Sequence, residues 1–227
     1  MNLTLTPIAT LHNNFPEKFG LPRQSGLINS LRSRIVFAPE FRQAEALRGL
    51  EGYSHLWLIW HFSDNNSEGW SPTVRPPRLG GNKRMGVFAT RSPFRPNPIG
   101  LSCVKIEAIR LSTPEGPVIE VSGADLKDGT PIFDLKPYLP HIDAHPDAAG
   151  GFAVDVQGHA LDVEIPTAFR QTVDDELLTL LREVLAQDPR PSYQQDPERI
   201  YALQVLPYEI KFQVKNNTAV VTDMQKI

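Results

Sequence analysis

Proline interrupts this chain so often, 21 times in 227 residues with 15 glycines besides, that few stretches are long enough for a helix of several turns. A proline removes a backbone donor and crowds the preceding turn, so the punctuation favours short strands joined by turns over a helical bundle. The apolar stretches between turn residues read as strands: Leu3 to Ile8, Arg34 to Ala38, His55 to Phe62, Gly86 to Thr90, Leu101 to Leu111, Val118 to Ser122 and Ile132 to Leu135. Their spacing is that of a barrel or sandwich. Val104, Ile106 and Ala108 alternate with Lys105 and Glu107, and the phase then switches at Ile109 and Leu111, which predicts a bulge near Ala108 or Ile109. The run His55-Leu-Trp-Leu-Ile-Trp-His-Phe62 predicts a central strand buried on both faces, with Trp57 and Trp60 read as core ahead of binding aromatics. A short helix fits Pro39 to Leu50, with Phe41, Ala44, Leu47 and Leu50 on one face, lying across one end of the barrel.

Between His141 and Gly151 the composition turns to Pro, Asp, Ala and Gly, and the domain boundary is placed there. Residues 1–150 then form a mainly β, barrel-like domain and residues 151–227 a small α+β domain. In the second, Asp174-Asp175-Glu176 opens a helix with Leu177, Leu178, Leu181, Val184 and Leu185 on one face and Pro189 beyond its end. A hairpin follows, Glu209 to Val214 returning through Asn216-Asn217 to Ala219 to Thr222, the asparagines tolerating the positive φ of a tight turn. So small a unit is expected to pack on the first domain or on a partner chain. No segment approaches the ~18 apolar residues needed to cross a bilayer and no leader pattern opens the chain, so no membrane partner is expected and the default location is cytoplasmic. Cys103 is the single cysteine, which excludes an intrachain disulfide and a multi-cysteine zinc site and reads as an inert thiol in an apolar run.

The net charge of −3 conceals an uneven distribution. Lys18, Arg23, Arg32 and Arg34 lie between Glu17 and Glu40 with no acid among them, and Arg75, Arg78, Lys83, Arg84, Arg91, Arg95 and Lys105 lie between Glu68 and Glu107 in the same way. Two readings fit: solvated loops with counter-charges nearby in space, or a positive face that attracts a polyanion while the acidic remainder limits indiscriminate binding.

The densest unusual stretch is Gly86 to Ser102, where Pro93, Pro96 and Pro98 stiffen a loop that carries Arg91, Arg95 and Asn97. Such stiffness leaves little side-chain ordering to offset when an anionic ligand arrives, although a braced surface turn would look the same. Asp128-Gly-Thr-Pro-Ile-Phe-Asp-Leu-Lys-Pro-Tyr138 places Asp134 and Lys136 on one face of an extended chain, as an exposed ion pair or as part of a site. Gly80-Gly81-Asn-Lys-Arg-Met-Gly86 lacks the Lys-Ser/Thr ending of a P-loop, and neither the serine-hydrolase elbow nor the Rossmann glycine pattern occurs. His141 and His145 are framed by Pro140 and Pro146 with no suitably spaced third ligand, so no metal is expected.

Five segments taken together, Pro22-Arg-Gln-Ser-Gly-Leu27, His55-Leu-Trp-Leu58, Arg75-Pro-Pro-Arg-Leu-Gly-Gly81, Gly86 to Ser102 and Asp128 to Tyr138, resemble in order and spacing the TsaA-like (YaeB, or TrmO) family of tRNA threonylcarbamoyladenosine methyltransferases. Asp188-Pro-Arg-Pro-Ser-Tyr193, with Tyr201 beyond it, resembles the C-terminal domain of the family's bacterial branch. The resemblance implies a β-barrel methyltransferase, a homodimer, and S-adenosylmethionine held near the subunit interface. It implies methylation of the exocyclic nitrogen of threonylcarbamoyladenosine beside the anticodon of tRNA. By the same likeness the cofactor contacts fall on Pro22, Arg23, Gln24, Phe62, Ser63, Arg91, Leu101, Asp128, Gly129, Thr130 and Pro131. Many relatives show Phe-His where this chain has Phe62-Ser63, which alters any contact made by that histidine's side chain.

Arg91 or Arg23 suits the cofactor carboxylate, and apolar cover for adenine is expected from Phe62 and Leu101. Methyl transfer from a sulfonium chiefly demands alignment, with a base to remove the nitrogen proton, and Asp134 and Tyr138 are the candidates. Lys136, Arg95 or Arg84 would meet the threonyl carboxylate, and Arg75, Arg78, Lys83 and Asn97 complete the expected RNA-facing set. Two alternatives stay open from the sequence: a methyltransferase acting on another RNA base or a small molecule, and a non-enzymatic basic adaptor for tRNA or a protein partner.

Overall fold

The structure, a computed structural model, describes residues 3–65, 70–76, 83–155, 160–191, 194 and 196–227. Six antiparallel strands close a barrel: β1 (Ala9–His12), β2 (Arg32–Phe37), β3 (His55–His61), β6 (Ile99–Arg110), β7 (Val118–Ser122) and β8 (Thr130–Pro137), in the order β1-β2-β7-β6-β3-β8 with β8 returning to β1. The two-residue strands β4 (Thr73–Val74) and β5 (Met85–Gly86) form a separate ladder beside it. Closure gives every strand a partner on both sides along at least part of its length, which suits a chain of short strands. The interior holds Leu11, Ile35, Leu56, Leu58, Ile119, Val121 and Ile132, all fully buried.

Several sequence expectations need correction. Leu3 to Ile8 is not a strand; Pro7 cannot donate to a ladder, and β1 begins two residues beyond it at Ala9. Gly86 to Thr90 divides into β5 and a 3₁₀ turn at Val87–Ala89. β3 is buried on one face only, with Leu56, Leu58 and Trp60 inside and Trp57, Ile59 and His61 partly exposed. Pro39 to Leu50 is not one α-helix but successive 3₁₀ turns at Pro39–Phe41, Ala44–Leu47 and Leu50–Gly52. The apolar residues 41, 44, 47 and 50 repeat every three positions, which is the period of a 3₁₀ helix and not of an α-helix. Leu47, Phe41 and Leu50 pack against the barrel core, so these turns do close one end of it. The bulge does fall near Ala108, between Ile106 and Ala108, as expected.

The C-terminal part pairs β10 (Tyr201–Val205), β11 (Tyr208–Lys215), β12 (Thr218–Lys226) and β9 (Asp162–Glu164) in the order β10-β11-β12-β9, the last pair parallel. A helix at Asp175–Ala186 packs on this sheet, its first turn capped by Asp174 Oδ1, which accepts from the Leu177 amide at 2.8 Å. Asn216 and Asn217 sit at φ 48° and 64°, as the tight turn of the β11–β12 hairpin requires. This unit shares one core with the barrel's own connections, since Phe15, Ile28 and Leu31 pack with Leu181, Leu203 and Phe212.

At one point the barrel tolerates only glycine. A Cβ on Gly100 would lie 2.2 Å from the buried indole of Trp60. Gly100→Ala is expected to cost about 2 kcal/mol of stability, read as an earlier midpoint in urea unfolding with an unchanged slope.

Candidate functional site

The site grows from a seam in the barrel. β7 accompanies β6 only from Arg110↔Val118 to Lys105↔Ser122, so the first residues of β6 have β3 on one side and no strand on the other among the described residues. Two connecting segments fill that gap. Ser25 Oγ accepts from the Cys103 amide at 3.2 Å, and the Gly26 amide donates to the Gly123 carbonyl at 2.8 Å. Gly26 and Gly123 are both left-handed, at φ 78° and 77°, and a Cβ on Gly123 would stand 3.3 Å from Gly26, so glycine allows the two segments to cross. Asp125 then spans the gap. Its Oδ1 accepts from Ser102 Oγ at 2.5 Å, and Ser102 Oγ accepts from Trp60 Nε1 at 3.0 Å.

A cleft opens over this seam, walled by Leu21, Trp60, Phe62 and Pro93, with His61, Ser63, Thr130, Asp125, Lys18, Asp64 and Lys127 among its polar lining. The Trp60 and Phe62 rings meet at 4.2 Å. Burial is the main influence on Asp125 and pushes its carboxyl up from the ordinary value, opposed by the Ser102 hydrogen bond and by the charge of Arg91. Asp64, at the rim, is drawn the other way: its hydrogen bond from Lys127 holds its carboxyl below the usual range. Lys127 lies 2.8 Å and Lys18 3.8 Å from Asp64, so both rim lysines are already paired. A second and larger cleft, between Asn14, Arg32, Asp174 and Tyr208, lies where the barrel meets the C-terminal unit and contains none of the residues expected from sequence.

Of those residues, Phe62, Ser63 and Thr130 line the seam cleft, and Gln24 and Arg91 meet through a hydrogen bond from the guanidinium to the Gln24 amide oxygen. Pro22 is buried. Arg23 points to the C-terminal unit, donating to the carbonyls of Asp188 at 2.9 Å and Arg190 at 3.0 Å. Asp128 and Gly129 form a turn whose amides donate to Phe15 and Leu11, and the Asp128 carboxylate faces His12 at 3.0 Å. Pro131 sits opposite Thr10 in the barrel ladder. Arg95 braces the proline loop from within, donating to the Val87 and Thr90 carbonyls at 3.2 and 2.7 Å. Asn97, Arg75, Lys83 and Arg84 are exposed, and Arg84 also donates to Thr73 Oγ1 at 2.9 Å. Arg78 and Tyr193 lie outside the described residues.

The outer face of the barrel carries a second grouping. Leu101, Ile59 and Asp134 stand side by side across β6, β3 and β8. Leu101 is 57% exposed, and Ile99, Phe88, Phe94 and Trp70 are exposed apolar side chains of β6 and the segments that precede it. Asp134 pairs with Lys136 at 2.9 Å. Tyr138 does not come to the seam cleft of its own chain. β8 runs eight residues from Thr130, which carries the tyrosine ~26 Å along the strand, where its ring packs with His55 and Trp57. The Cys103 thiol is pushed up by burial and stays protonated, which agrees with an inert role.

Sequence reasoning missed Asp125, Ser102 and Ser25. Asp125 stands three residues before the Asp128 turn and resembles an ordinary loop acid; only its contact with Ser102 distinguishes it.

The tRNA-methyltransferase O N-terminal domain family matches residues 10–144, and the C-terminal domain of the same family matches residues 159–227. The tRNA (adenine(37)-N6)-methyltransferase of Escherichia coli strain K12 is 42% identical, with 91% of each chain covered. A Pseudomonas aeruginosa protein described as a putative S-adenosylmethionine-dependent methyltransferase is 41% identical, with 90% of each covered. A crystal structure of the Pseudomonas aeruginosa member superimposes with a TM-score of 0.79 at 34% identity, covering 100% of this chain and 98% of that one.

Proposed function

The chain belongs to the tRNA-methyltransferase O family, and from that premise we propose that it methylates the exocyclic nitrogen of adenosine 37 in tRNA, carried as threonylcarbamoyladenosine, with S-adenosylmethionine as the methyl source. The supporting observation is the seam cleft, where Leu21, Trp60, Phe62 and Pro93 form an apolar wall and the lining Asp125 feels the charge of Arg91, itself bonded to Gln24. That donor set suits a ligand with an aromatic base at one end and a carboxylate at the other. When bound, S-adenosylmethionine supplies an electrophilic methyl on a positively charged sulfur.

The chain's own groups do the rest. Arg91 holds a carboxylate, with its approach fixed by Gln24 and by the prolines of its loop. Asp134, on the outer face beside Ile59 and Leu101, accepts the proton released from the acceptor nitrogen. Lys136, paired with Asp134, would meet the threonyl carboxylate. The exposed Arg75, Lys83 and Arg84 follow the tRNA backbone. The exposed apolar patch around Leu101 is read as a homodimer face, which brings a second chain over the outer grouping and leaves the division at residue 150 as one between a catalytic barrel and a supporting C-terminal unit. No described helix is long and apolar enough to cross a membrane, and among the described residues no metal-binding cluster occurs. A tRNA substrate would fit a place in the cytoplasm.

The test is transfer of labelled methyl from S-adenosylmethionine to tRNA with and without the threonylcarbamoyl group, run with the wild type, Asp134→Asn and Tyr138→Phe. The expected outcome is methylation of the modified tRNA only, about 10²-fold slower in Asp134→Asn and near wild-type in Tyr138→Phe. Equal methylation of both tRNAs would move the acceptor to another base. Undiminished turnover in Asp134→Asn would remove the carboxylate as base.

A further inference from the structure

The charges around the seam cleft do not balance locally. Lys18 and Lys127 are both satisfied by Asp64. Arg91, by contrast, makes its described hydrogen bond to a neutral amide, that of Gln24. Asp125 receives Ser102 and backbone donors but forms no ion pair among the described residues. An anion that lines the apolar cleft and a cation close enough to influence it therefore stand without a direct salt bridge between them. Keeping a carboxylate in such a place costs folding free energy, and hydrogen bonds from Ser102 and from the backbone of Ser25 and of Asp125 itself only partly offset that cost. A ligand carrying both signs on one carbon would satisfy both groups at once.

We infer that Asp125 is the cation-reading half of the cofactor site, accepting from the α-ammonium of the methionine moiety while Arg91 takes the carboxylate of the same carbon. This rests on the methyltransferase reading and adds a residue to it. The Trp60–Ser102–Asp125 chain of hydrogen bonds gives the carboxylate a fixed direction, because Trp60 is locked in the barrel core and Ser102 can turn its proton only toward Asp125 while it accepts from the indole. The threonylcarbamoyl group of the acceptor carries a carboxylate but no ammonium, so an anion here favours the cofactor over the acceptor.

A two-by-two experiment tests this. S-adenosylhomocysteine and its des-amino analogue, which lacks only the ammonium, are titrated calorimetrically into the full-length wild type and Asp125→Asn. The wild type is expected to prefer S-adenosylhomocysteine by about 10-fold or more, and the variant by less than about twofold. The des-amino analogue should bind both proteins alike. Thermal unfolding of Asp125→Asn should occur no earlier than in the wild type, because a neutral isostere escapes the burial cost; a residue kept only for the seam would give the opposite. An unchanged ratio in the variant overturns the assignment, and so does a wild type that does not distinguish the two ligands, whatever the variant's folding. A wild type that binds neither ligand would instead overturn the cofactor reading itself.

Discussion

Arg91→Ala is expected to weaken S-adenosylmethionine binding by about 2–4 kcal/mol, roughly 30- to 1,000-fold, in calorimetric titration, with turnover at limiting cofactor falling in proportion. The size follows from where the guanidinium sits. It stands at the start of a loop that has little freedom left: Pro93, Pro96 and Pro98 fix the backbone, Thr90 Oγ1 accepts from the Ser92 amide at 3.3 Å, and Arg95 ties two loop carbonyls from inside. A ligand carboxylate thus meets a donor whose position is already set, and little of the interaction is lost to ordering. The protein itself has little reason to unfold. Arg91 is exposed and its described hydrogen bond is to Gln24, so the variant's thermal midpoint should stay near the wild type's. Wild-type cofactor affinity in the variant, with salt-dependent loss of tRNA affinity instead, would place Arg91 among the RNA contacts.

Much of the barrel was legible because apolar or alternating runs stand between turn residues, as β7 does between Pro117 and Gly123 and β8 after Gly129; the β11–β12 hairpin and the capped helix before it were legible for equally local reasons. What escaped sequence reading depended on period or on distance. The turns at residues 39–52 carry apolar side chains every three positions, and a sparse pattern of that kind fits an α-helix nearly as well until the hydrogen bonds are seen. β3 contains so many apolar residues that it suggested two buried faces, whereas its outward ones are only half-buried on the outer face of the barrel. The segment from Asp128 to Tyr138 looked like one compact site because its chemical groups are close in sequence, yet a strand separates its ends as far as a chain can. Asp125 shows the converse. Its partners Ser102, Ser25 and Arg91 come from three other segments, and no spacing rule joins them. The resemblance to a family supplied residue identities at the cleft, but only closure of the barrel reveals that Gln24 and Arg91 form one group and Leu101 and Asp134 another.

Those two groups lead to the other large expected effect. Leu101→Glu should convert a homodimer to monomers in analytical ultracentrifugation and abolish methyl transfer, a loss of about 3–5 kcal/mol in association from placing an unpaired carboxylate in an apolar contact. Leu101 points away from the barrel core, 57% exposed, while Gly100 and Ser102 on either side point inward toward the seam. A cofactor reaching from Arg91 and Phe62 to Leu101 would have to pass around the strand's edge and lie on the outer face, where the described residues leave Leu101 largely open to water. A second chain seated on Leu101, Ile99 and Phe88 would provide that cover and would also enclose Asp134, two strands or ~10 Å from Leu101. In the proposed homodimer, oligomeric state and chemistry would be coupled through one residue, and the outcomes separate cleanly. A Leu101→Glu protein that remains dimeric removes this face as the interface. One that is monomeric but keeps wild-type cofactor affinity shows that the cofactor pocket is complete within a single barrel, and that the partner chain is needed only where the acceptor nitrogen is deprotonated.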